Sequence, residues 1–224
     1  MIHAAVLLGP AAWGREPMPE EHMAEGIEDR LKAQLIGLFR ILHERNVPYV
    51  LVGGIAMLTY IEGRNTRDVD LVLSVESLAA MPEIVIDHRN GDFASGKFGD
   101  LPVDFLFTSN PLFKLVERDY AAQRQFLERE VRVATIEGLV LLKLFALPSL
   151  YRQGRGQRVG LYENDIYMLC ELGRPKMEPL FEVLKRYVDS AALDDLRIIV
   201  DDARRRIDRV DRARKSAGPS HEDK

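Results

Sequence analysis

The chain has a single cysteine, Cys170, among 224 residues, which excludes an intramolecular disulfide framework and points to a reducing compartment. It has no excess of basic charge. A net charge of −4 and a pI near 5.8 give no global positive field of the kind that draws nucleic acid, although a local basic patch stays open. It has no long hydrophobic run either. The stretch Ile2–Leu8 lacks a basic flank and is too short for a signal core or a membrane span, so a cytoplasmic protein with no membrane association is expected. His3, His22, His43, His88 and His221 are scattered without zinc-ligand spacing. No P-loop string, serine nucleophile elbow, internal repeat or low-complexity block occurs. What remains, 46% hydrophobic and 29% charged residues, is the composition of a globular protein able to bury one large core or two small ones.

Taken in order, residues 1–21 form an arm punctuated by Gly9, Pro10, Gly14 and later prolines. Apolar residues at three- and four-residue steps (Ile27, Leu31, Leu35, Leu38, Phe39, Leu42) then predict a helix ending before Pro48. Short apolar runs at Tyr49–Val52, Leu71–Leu73, Glu83–Ile86, Pro102–Phe107 and Val131–Thr135 predict strands. Asp92–Gly99 reads as a hairpin strand or a loop. Helices are expected over Pro111–Gln125, over Glu137–Leu147 with Pro148 as its stop, and over Leu161–Leu172, Glu178–Asp189 and Leu193–Lys215. Domain boundaries follow: an arm (1–21), an α/β core (22–135), a helical domain (136–215) and a disordered tail (216–224).

The informative stretch is Pro48–Ser74. Gly53–Gly54 follows one strand directly, where bare backbone either brings a phosphate close to a helix start or makes a plain strand-to-helix turn. Arg64, Thr66, Asp68 and Asp70 come next. Asp68 and Asp70 stand two apart at the start of a strand, so both carboxylates leave the same face. Like charges beside an apolar core are costly unless something positive lies between them, and a divalent cation is the obvious candidate. The alternative is a cap or an ion pair with Arg64 or Arg67. Glu128–Arg129–Glu130 repeats the acid-x-acid pattern and reads as a solvated helix end. Asp104 lies inside the apolar run PVDFLF. If its strand lies beside that of Asp70, three carboxylates converge as the all-oxygen set that hard cations prefer; otherwise Asp104 is a buried acid bonded to backbone. Arg64 is a phosphate clamp or an ion-pair partner. Arg152, Arg155 and Arg158 form a basic glycine-bearing loop, solvated or phosphate-binding. Cys170 sits in an apolar helix and reads as packing.

Together, VGG at Val52–Gly54, RDVDLVL at Arg67–Leu73 and VDF at Val103–Phe105 resemble the nucleotidyltransferase superfamily with the polymerase-β-like fold. The string from Tyr49 to Ser74 and the helical continuation through Leu169 look like the AbiEii-type nucleotidyltransferase toxin branch and its relatives. The resemblance implies an α+β fold, a small mixed sheet with flanking helices followed by a helical C-terminal portion. It implies an enzyme that moves an NMP from an NTP to an acceptor hydroxyl, with release of pyrophosphate. Asp68 and Asp70 would bridge two Mg2+ (or Mn2+) ions and Asp104 would complete the site. Gly53 and Gly54 would hold the triphosphate, ATP being one such substrate. Many relatives carry serine at the second glycine position, whose hydroxyl Gly54 lacks. Lys143 would contact the nucleotide, and Asp165 occupies the aspartate position of the next helix. The implied partners are an NTP, tRNA or another RNA, and a cognate antitoxin protein; oligomeric state stays open. Nucleotidylation of a protein or small molecule, and a non-catalytic binding module, are the rival readings.

Overall fold

The computed structural model describes residues 20–61, 66, 68–127 and 129–216. The expected arm through residue 19, Arg64, Arg67, Glu128 and the tail beyond residue 216 lie outside them. The described residues form two compact units, one running to Ala134 and one starting at Thr135.

In the first unit, α1 (Glu20–Glu44) buries the stripe Leu35, Leu38, Phe39 and Leu42. It terminates at Asn46, whose φ of 49° is left-handed, a conformation that asparagine tolerates at a helix end. Pro48 then commits the chain to extended structure. β1 (Val50–Val52) leads straight into the short α2 (Gly53–Met57). β2 (Val69–Leu73), α3 (Val75–Ala79), β3 (Ile84–Arg89), β4 (Phe93–Phe98) and β5 (Leu101–Phe107) follow. α4 (Pro111–Asp119) then precedes a hairpin of β6 (Ala121–Phe126) and β7 (Arg129–Ala134).

These strands make one mixed sheet in the order β3-β4-β5-β2-β1-β7-β6. β2 runs parallel to β5 and antiparallel to β1, while β1 runs parallel to β7. The centre of the sheet is therefore β5-β2-β1, and its alternating residues are fully buried: Leu51, Val69, Leu71, Leu73, Val103, Phe105 and Phe107. Burying one such side chain contributes about 1.5–3 kcal/mol, which fixes the register of these strands. α4 adds Leu112, Phe113 and Val116 to the core, with Phe113 edge-on to Phe93 at 5.1 Å.

Two expectations change here. The helix predicted over Pro111–Gln125 stops at Asp119, and Ala121–Phe126 is an edge strand instead. Glu128–Arg129–Glu130 is accordingly not a helix end, because Arg129 and Glu130 open β7.

The second unit is helical. Thr135 caps α5 (Ile136–Arg152), its hydroxyl accepting from the Gly138 amide at 3.3 Å. Pro148 does not stop this helix but lies within it. A helix-interior proline costs about 3 kcal/mol, and the burial of Ala146, Leu147 and Leu150 on either side of it offsets that loss. α6 (Gly156–Gly173), α7 (Met177–Leu184) and α8 (Ser190–Ser216) follow, α8 burying Leu196, Val200, Ala203 and Ile207. The basic loop expected at Arg152–Arg158 is only Gln153–Arg155, since Arg152 ends α5 and Arg158 lies in α6. No described helix is long and apolar enough to cross a membrane.

Candidate metal centre

The sheet register places the acids. Asp70 on β2 is the direct partner of Asp104 on parallel β5, and on its other side faces Val52, the last residue of β1. Partners across a ladder project from the same face. Asp104 and Asp70 therefore leave the sheet together, on the side away from Val103, Phe105 and Phe107. Asp68 immediately precedes β2 and brings in the third carboxylate. One ligand oxygen from each of Asp68, Asp70 and Asp104 lies within 4.8 Å of the others, and all three residues are half-buried. At that spacing, with an effective dielectric near 20, each pair of ionised carboxylates repels by roughly 3 kcal/mol. A divalent cation held there would offset this repulsion, and three carboxylate oxygens are donors of the kind that magnesium or manganese takes.

The backbone beside the cluster is shaped around it. Gly53, the first residue of α2, has a φ of 66°, which a residue with a Cβ adopts only with strain. A Cβ built there would lie 2.8 Å from the Asp70 Cβ and closer still to its carboxylate. Bare backbone at this position is what gives Asp70 room. Gly54 lies against a different residue, Thr66: a Cβ on Gly54 would stand 2.8 Å from the Thr66 Cβ and closer to its hydroxyl. The Thr66 hydroxyl donates to Asp68 Oδ1 at 2.8 Å. Thr66 stood in the informative stretch of the sequence without a role of its own. Its signal was the two-residue step to Asp68, which puts a hydroxyl within reach of the carboxylate. The two glycines are explained by these side chains, before any phosphate is invoked.

Lys143 and Asp165 belong to the helical unit. Lys143 Nζ sits 2.6 Å from Asp165 Oδ2, with the side chains 7% and 0% exposed, and 4.4 Å from the centre of the Tyr162 ring. The pair joins α5 to α6 inside that unit's core. Arg152 is exposed, while Arg155 and Arg158 are half-buried. Cys170 is buried, and burial pushes its thiol up to about 11.

No protein-family model matches the chain, and no curated protein does. Solved structures do. The antibiotic-resistance protein ANT(2")-Ia, determined in complex with adenylyl-2"-tobramycin, superposes with a TM-score of 0.56 at 15% identity, over 71% of this chain and 99% of that one. A solution structure of the same factor superposes with a TM-score of 0.50 at 12% identity, over 84% of this chain and 98% of that one. Identities this low speak for architecture alone, and the architecture is the nucleotidyltransferase fold: a mixed sheet with flanking helices and a helical C-terminal region.

Proposed function

We propose that this chain is a metal-dependent nucleotidyltransferase that moves an NMP group from an NTP to an acceptor hydroxyl and releases pyrophosphate. The observation that carries the reading is the convergence of Asp68, Asp70 and Asp104 at the centre of a sheet of this fold. Asp68 and Asp70 would hold Mg2+ or Mn2+ shared with the triphosphate, and Asp104 would complete the acceptor side of the site. When bound, such ions lower the pKa of the attacking hydroxyl and stabilise the departing pyrophosphate. The residues themselves bind and orient. Gly53 keeps the space beside Asp70 clear, and a triphosphate would rest on the backbone at Gly53 and Gly54. Lys143 is assigned to nucleotide contact only in competition with Asp165, which already holds its ammonium group.

For the acceptor, the likeness of the Tyr49–Ser74 string to the AbiEii-type branch favours RNA, tRNA in particular. An antitoxin partner and toxicity to the cell belong to the same reading. A second reading, a small polyhydroxylated acceptor, is favoured by one observation: ANT(2")-Ia, which shares the fold, was solved with an adenylylated aminoglycoside. Incubation with each labelled NTP and Mg2+, separately with total RNA, with aminoglycosides and with protein alone, distinguishes them. Label in RNA selects the first acceptor, label in the drug the second, and label in the protein selects self-modification. In every case Asp70→Asn or Asp104→Asn should abolish transfer. Labelling that survives both substitutions would remove the mechanism.

A further inference from the structure

We propose that Thr66 is the positioning residue for Asp68, and that Gly54 is a glycine in order to leave Thr66 in place. The inference starts from a difference among the three acids. Asp70 and Asp104 are held by the sheet ladder in register with each other. Asp68 lies one residue before β2, so no strand pairing fixes it. A carboxylate on such a chain end turns about two side-chain bonds, and a cluster of like charges drives it outward. The Thr66 hydroxyl donates to one of its oxygens at 2.8 Å, and a hydrogen bond to a charged acceptor is among the stronger kinds. That bond holds Asp68 toward the cluster.

Gly54 is the second half of the device. Among the described glycines, the left-handed backbone belongs to Gly53, Gly99 and Gly154, so the backbone at Gly54 does not itself require glycine. Space does. The three atoms nearest a Cβ at position 54 are all in the Thr66 side chain, with the Cβ at 2.8 Å and Cγ2 at 3.3 Å. Any side chain at 54 displaces Thr66 and with it the bond to Asp68. Adjacent glycines thus serve two carboxylates separately: Gly53 clears Asp70, and Gly54 clears the residue that holds Asp68.

The metal part of this inference rests on the proposed function, so the experiment separates the two. Mn2+ binding is titrated by calorimetry on the full chain for wild type, Thr66→Val (same shape, no hydroxyl), Thr66→Ser (hydroxyl kept) and Gly54→Ala. Thr66→Val should weaken Mn2+ about 10-fold, the scale for losing a group that orients a metal ligand, and Thr66→Ser should stay within about twofold of wild type. Gly54→Ala should weaken it as Thr66→Val does, and the double variant Gly54→Ala/Thr66→Val should be no worse than either alone. Thermal unfolding gives a metal-free reading: Gly54→Ala should lower Tm in the wild-type background and much less in a Thr66→Gly background. Wild-type Mn2+ affinity in Thr66→Val, or equal cost of Gly54→Ala in both backgrounds, overturns the proposal. Should wild type bind no Mn2+, the metal reading of the site fails. The positioning claim is then decided by the crystal structure of Thr66→Val, in which Asp68 must leave its wild-type rotamer.

Discussion

Replacing Lys143 by methionine tests the most deeply buried charges in the described structure. Its ammonium lies 2.6 Å from a carboxylate that is fully buried. Methionine keeps the length of the side chain and removes the charge, leaving Asp165 without its counterion between α5 and α6. Removing one partner of a buried pair costs about 3–5 kcal/mol. The described part of the helical unit runs from Thr135 to Ser216, and at about 2.1 cal/mol/K per residue its unfolding entropy is on the order of 170 cal/mol/K. A loss near 4 kcal/mol then lowers its midpoint by roughly 20 °C, against a total stability for such a unit of about 5–13 kcal/mol. Urea unfolding followed by far-UV circular dichroism reads the loss. The double variant Lys143→Met/Asp165→Leu should recover most of the stability, since an apolar pair of similar volume commonly replaces a buried ion pair with little cost. Unfolding of Lys143→Met within about 0.5 kcal/mol of wild type would refute the argument that this pair holds the helices. Combined with a raised KM for NTP, that result would move Lys143 to the nucleotide site.

Gly53→Ala should lose Mn2+ binding and about 1–2 kcal/mol of stability from the left-handed backbone alone, since its φ is 66° and its Cβ would overlap Asp70; metal titration and urea unfolding check both. Cys170, 4% exposed, should resist maleimide at pH 8 in the folded chain and react fully in guanidinium. Burial raises its pKa from 9.0 to about 11, so the thiol stays neutral in the fold while the unfolded chain ionises. Its contribution to stability is complete below pH 9 and is lost as pH rises toward 11; equal alkaline stability of wild type and Cys170→Ala over that window would contradict this.

The parts of the fold that could be read from the chain are those where one face is buried. β2 and β5 are short and apolar, and both are flanked by strands in the middle of the sheet. Any register that moved Asp70 or Asp104 inward would have expelled Leu71 or Phe105. The convergence of Asp70 and Asp104 follows from that constraint, and Asp68, one residue before β2, is outside its reach. β6 was not legible because it is an edge strand whose central residues, Gln123, Arg124 and Gln125, are exposed. No alternation survives there, and a helical continuation of α4 fits the residues equally well. Pro148 misled for the opposite reason: a strong local signal was overridden by Leu147 and Leu150, buried to within 1%. Lys143 stands among leucines in the sequence, but periodicity carries no information about which residue of another helix meets it.

The two acid-x-acid triplets show where the limit lies. Asp68–Val69–Asp70 and Glu128–Arg129–Glu130 carry the same spacing of carboxylates, and spacing alone does not rank them. Their middle residues do. Val69 is fully buried in a strand with neighbours on both sides, so the acids around it are carried to the middle of the sheet, where another strand adds Asp104. Arg129 and Glu130 are exposed at the start of β7, where water screens their charges and nothing has to offset them. An acidic pair becomes a metal-site candidate when the residue between its carboxylates has to be buried, because that burial denies the pair the solvent that would otherwise neutralise its repulsion.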